Sequence, residues 1–126
     1  MQNVRIFYAD RGIFLTGSSD TRIINSIVDF AGVGITISTS DRVALTNVYA
    51  HAPNSVGYGF HITNTIQNQS VIMGCQAKSC LVGFKDESAA AYVHSFIGNT
   101  ATGSTTPWSI KAQDIARGNF DIADQS

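Results

Sequence analysis

Charge is scarce in this chain of 126 residues: Asp, Glu, Lys and Arg make up 13% of it, about half of the roughly 25% usual in a globular domain. Eight basic against nine acidic residues leave a net charge of −1, which gives no footprint for nucleic acid or an anionic membrane surface. Long apolar runs are missing as well. The uncharged stretch from Val43 to Ala77 is broken by Asn47, His51, Pro53, Asn54, His61, Asn64 and Asn68, so nothing approaches the ~20 apolar residues of a membrane-spanning helix. The opening MQNVRIF lacks the pattern of a signal peptide. Two cysteines, Cys75 and Cys80, are too few for a disulfide framework and lack zinc-ligand partners, so free thiols are expected, at least one in the core. Leucine occurs only at positions 15, 45 and 81, which excludes a leucine-rich repeat.

What is present is a repeat. Gly followed by an apolar residue recurs at Gly12-Ile13, Gly34-Ile35, Gly59-Phe60 and Gly83-Phe84, at spacings of 22, 25 and 24, and Pro107-Trp108 falls 24 further on. Around these pairs the chain alternates with the period of a half-buried strand. A second register begins at Ile24, Leu45, Ile72 and Val93, each followed by a small residue and then by Ile27, Val48, Cys75 or Phe96. These two sets are expected to form two inward ladders. Turns rich in Ser, Asp and Asn lie between the registers, at Ser18 to Arg22, Thr39 to Arg42 and Gln67 to Ser70, where short polar side chains satisfy bent backbone. No helix-period segment of useful length precedes residue 110. Units of 22 to 25 residues with matching positions predict an all-β parallel solenoid of about four to five coils rather than a sandwich, which carries no such match.

These residues, together with the stretch FIGNTATGSTTPWSI from Phe96 to Ile110, resemble the right-handed parallel β-helices of the pectate-lyase-like superfamily, and within it the tailspikes and capsule depolymerases of bacteriophages. The resemblance covers residues 3 to about 110. It implies a segment of a spike, located in a virion tail, that contacts bacterial surface polysaccharide and supports a homotrimer. No cofactor is expected, and the nine acids are too scattered to converge on a metal ion. The chain begins directly on a strand without a helical cap, so it is expected to be a piece of something longer. Residues 111–126 change character and are expected to be a tail, a cap or an interchain strand.

The alternative is a polysaccharide hydrolase or lyase. A glycosidase needs two carboxylates roughly 5–9.5 Å apart, and Asp20 and Asp41 occupy matching turns, so they and Asp29 are the candidate catalytic residues. A second candidate face carries Asp29, His51 and Lys78, with the carboxylate one position out of line. Structural turn roles and a solvated face are the competing explanations, and Asp86-Glu87 reads as surface charge. Tyr49, Tyr58, Tyr92 and Trp108 are expected to point outward. Tyr49, His51, Tyr58, His61 and Trp108 are thus candidates for glycan contact or for a subunit interface. A non-catalytic adhesin solenoid is a third reading.

Overall fold

Each unit of the chain holds one residue with a left-handed backbone at a fixed place: Asn25 (φ 52°), Asn47 (53°), Gly74 (61°), Gly98 (62°) and Gly118 (61°). Asn and Gly are the residues that take this conformation at least cost, and each breaks a short strand so that the chain turns a corner. The computed structural model describes residues 1–52, 57–63, 69–89 and 91–122. The expected turn at residues 67 and 68 lies outside them.

In chain order the strands are β1 (Arg5–Thr16), β2 (Arg22–Ile24), β3 (Ile27–Ser38), β4 (Ala44–Thr46), β5 (Tyr49–His51), β6 (Tyr58–Thr63) and β7 (Val71–Met73). They continue as β8 (Gln76–Lys78), β9 (Val82–Asp86), β10 (Ser95–Ile97), β11 (Thr100–Thr102), β12 (Thr106–Ser109), β13 (Ile115–Arg117) and β14 (Phe120–Ile122). One stack runs β2-β4-β7-β10-β13. The long β3 pairs through its first residues with β5, and so with β8, β11 and β14, and through its last residues with β6, β9 and β12. β1 lies along β3 on the other side, and all pairs are parallel. The protein is a parallel β-solenoid of about four turns, with no helix among the described residues. The segment expected to be a tail or cap contributes β13 and β14, which extend the ladders of β10 and β11.

The Gly-apolar register is the one observed. Ile13, Ile35, Phe60, Phe84 and Trp108 pair coil over coil, and the rings of Phe60 and Phe84 stack at 4.8 Å and 4°. Trp108 does not point outward as expected: it lies 4.5 Å from Phe84 at 11°, packed on the core. Glycine precedes the first four of these residues because the coils meet closely there. A Cβ at Gly59 would lie 2.7 Å from the Gly83 carbonyl oxygen and 2.9 Å from the Ala77 Cβ.

The second register needs correction. Leu45 and Ile72 share a ladder, but with Ile23 and Phe96 rather than Ile24 and Val93. Val48 and Cys75 are flanked by Ser26 and Asn99 rather than by Ile27 and Phe96. The cause is the left-handed corner: the inward residue is the one two places before Asn25, Asn47, Gly74 or Gly98, and of the doublets Ile23-Ile24 and Phe96-Ile97 only the first member meets that condition.

At the corners the strand ladder lapses, and side chains inside the solenoid take its place. Asn99 Oδ1 accepts the Cys75 N–H at 2.9 Å while its Nδ2 donates to the Ile72 carbonyl at 2.9 Å, and Asn119 repeats this toward Asn99 and Phe96. A second corner runs Ser70, His94, Asp114, whose side chains accept the backbone N–H groups of Val43, Ser70 and His94 from the preceding coil, and Ser40, three residues before Val43, accepts that of Ser18. Each such buried N–H left unsatisfied costs about 1–3 kcal/mol. Asn99→Ala orphans one donor and one acceptor, and is expected to lower the unfolding free energy by about 2–4 kcal/mol in urea titration. A loss under about 0.5 kcal/mol would show that these groups are not held by Asn99.

Candidate functional site

Asp20 and Asp41 are brought together by a shared cation rather than by direct register. Both carboxylates hold one guanidinium: Arg42 Nε and Nη2 donate to Asp20 at 2.6 and 2.9 Å, and Nη1 donates to Asp41 at 2.7 Å. The bridge between coils pairs Ser19 with Asp41, so Asp20 stacks over Arg42, both with left-handed backbone. The Arg42 hydrogen bond outweighs the small desolvation and keeps Asp20 below the ordinary carboxylate range. This is a structural turn clamp, made of residues a turn requires.

Asp29, His51 and Lys78 stand in direct register on β3, β5 and β8, one place tighter than expected for Asp29. His51 Nδ1 and Asp29 Oδ1 are 3.0 Å apart, both partly exposed. The Tyr49 ring stacks beside His51 at 6.2 Å, and burial, then Asp29, pushes its phenol up.

The third outward face has a more developed geometry. On β6, His61 and Thr63 alternate with the buried Phe60 and Ile62, and Thr36, His61 and Lys85 form an outward row across three coils. Lys85 Nζ sits 4.3 Å over the Tyr58 ring and 3.2 Å from its hydroxyl. Glu87 bridges the row, 2.7 Å from Lys85 Nζ and 2.6 Å from His61 Nε2. Those two partners hold the Glu87 carboxyl below its usual range, and Glu87 with Tyr58 holds Lys85 above its own. The Tyr58 and His61 rings meet edge to face at 5.0 Å. Beside them a cleft of about 260 Å³ is lined by Arg11, Phe14, Thr36, Tyr58, His61 and Thr63, among others. Phe14 is 48% exposed, with the Arg11 guanidinium 5.7 Å from its ring centre. A larger recess, about 320 Å³, is walled by Trp108, Ile110 and Asn119 at the C-terminal end of the ladders, away from these groups.

A fourth cluster escaped the sequence reading. Asp86 is no surface charge: it follows Leu15, Ile37 and Ile62 in an inward ladder, with its side chain sealed from solvent. The alignment of Gly59-Phe60-His61-Ile62 with Gly83-Phe84-Lys85-Asp86 carries that signal. Around it lie Ser88, His94, Lys111 and Asp114. His94 Nδ1 accepts the Ser70 N–H, which places the neutral ring's proton on Nε2, 3.2 Å from Ser88 Oγ. Burial lowers His94 and so favours that neutral form. Ser88 Oγ in turn donates to Asp86 Oδ1 at 2.6 Å. His94 therefore faces Ser88 as a donor, the reverse of what a nucleophile–base pair requires.

Comparison with known proteins finds no matching family model, no matching curated protein and no matching solved structure.

Both thiols are free and buried, and burial pushes Cys75 up to about 11 and Cys80 up to about 12. Since the thiolate is the reactive form, Ellman's reagent at about pH 8 is expected to label neither cysteine in the native protein and both once it is unfolded in urea. Fast labelling of either in the native state would contradict this packing.

Proposed function

We propose that this solenoid is a glycan-contacting module and that the contact is made at the cleft beside Tyr58 and His61. The observation that carries the reading is the pairing there of exposed or half-exposed rings, Phe14 and Tyr58, with hydrogen-bonding side chains Thr36, His61 and Thr63. The apolar faces of sugar rings pack on aromatic rings while their hydroxyls exchange hydrogen bonds with such polar groups. Carbohydrate chains are extended, and a solenoid presents an equally extended face along its stacked coils.

Binding is favoured over cleavage by the partners of the candidate carboxylates and of Glu87 beside the cleft. Asp20 and Asp41 are tied to Arg42, Asp29 to His51, and Glu87 to Lys85 and His61. A hydrolytic pair needs one carboxyl free to donate a proton and another free to attack or activate water. The tailspike setting, bacterial surface polysaccharide as the glycan, the virion tail and the homotrimer rest on the sequence resemblance, and form part of this proposal on that basis.

The test is calorimetric titration with capsular and O-antigen polysaccharide preparations, run beside assays for new reducing ends and unsaturated uronates. Binding without turnover is expected, and Tyr58→Ala is expected to weaken it by about tenfold or more, the loss of one stacked ring. Turnover would move the reading to an enzyme. Unchanged binding in Tyr58→Ala would remove the cleft as its site, and no binding to any preparation would remove the glycan reading.

A further inference from the structure

The buried cluster at the C-terminal end of β9 has no part in glycan contact, yet its groups are placed for chemistry. Asp86 and Asp114 side chains are both fully shielded from solvent, and Lys111 is nearly so. Lys111 Nζ lies 3.4 Å from Asp86 Oδ2 and 4.0 Å from Asp114 Oδ1. It is held there by Ser88 Oγ at 2.8 Å, by the Ala89 carbonyl at 3.0 Å and by the Tyr92 carbonyl.

The two oxygens of Asp86 differ. Oδ1 accepts the Ser88 N–H at 2.8 Å and the Ser88 hydroxyl at 2.6 Å. Oδ2 is buried and has no well-aligned donor among the described groups, with Lys111 Nζ beside it at 3.4 Å. Asp114 is fixed by two backbone N–H groups, those of His94 and Lys111, at 3.1 and 2.9 Å. Burial, against those two N–H bonds and together with Asp86, pushes Asp114 up to about 6, whereas the Ser88 bonds hold Asp86 low despite its own burial. Asp114 is thus the more basic carboxylate of the pair.

We propose that Lys111 and Asp86 are a site of spontaneous amide cross-linking, with Asp114 as the proton carrier. The reaction runs through the minor form in which the proton passes from Lys111 to Asp86 Oδ2, so that a neutral amine faces a neutral acid, and exclusion of water lowers the cost of forming it. The Nζ lone pair then attacks Cγ of Asp86, and the N–C bond forms. Negative charge collects on Oδ1, where the two Ser88 donors already point. Asp114 takes the surplus proton from nitrogen and passes it to Oδ2, the C–Oδ2 bond breaks, and one water leaves. No oxidant or other reactant is required. The product ties the end of β9 to the segment that leads into β13, and closes the last coil covalently.

Intact-mass measurement of the purified full chain tests this. The expected mass is lower than that of the sequence by one water, and a protease digest is expected to yield a branched peptide joining the segments that contain Asp86 and Lys111. Lys111→Arg and Asp114→Ala are each expected to restore the full sequence mass. The parent chain at full sequence mass after prolonged incubation would overturn the proposal whether or not the variants fold. So would a mass deficit that persists in Lys111→Arg, since that places the dehydration elsewhere, as in a succinimide.

Discussion

Backbone N–H groups at the corners of the coils are the constraint on which the structure depends. Along the strands, parallel pairing satisfies them. At each corner the chain leaves the ladder, and a donor turned inward would be stranded among apolar side chains at a cost of about 1–3 kcal/mol. The chain answers with polar residues at fixed inward positions: Ser26, Asn99 and Asn119 at one corner, Ser70, His94 and Asp114 at another, with Ser40 for the Ser18 N–H and Ser104 for the Cys80 N–H. Each side chain bonds the coil before it, so the corners fix the vertical register as firmly as the strands do.

The architecture was legible because one of its contacts leaves a direct trace. Gly12, Gly34, Gly59 and Gly83 recur since a Cβ at each would press on a carbonyl oxygen of the next coil, and the apolar residue that follows each of them is bound to the aromatic ladder. The second register was misread at Ile24 because an apolar doublet says nothing about which member faces inward, and at Val93 because Val93 and Phe96 repeat the apolar spacing of Leu45 and Val48 three residues early; the left-handed Asn or Gly two positions after the inward residue marks the true register. That mark also extends to Gly118, which places β13 and β14 in the solenoid despite their changed composition.

The surface was less legible. An outward position is not bound to repeat, so pairing such as that of His61 with Glu87, contributed by different coils, leaves no pattern along the chain. Asp86 shows the converse case: a charged residue in an inward slot was read as surface by type, although its place below Ile62 assigned it to the interior. Aromatic and hydroxyl groups lie outside near Tyr58, and the sealed carboxylates and lysine lie inside near Asp86.

Amide hydrogen exchange resolved by residue tests the corner account most directly. If inward side chains carry the corners, the amides of Val43, Ser70, Cys75, His94 and Asn99, none of which relies on a strand partner alone, exchange as slowly as those at the centres of β3 and β6. Exchange of these corner amides at the rate of an open loop, with the strand amides still protected, would contradict it.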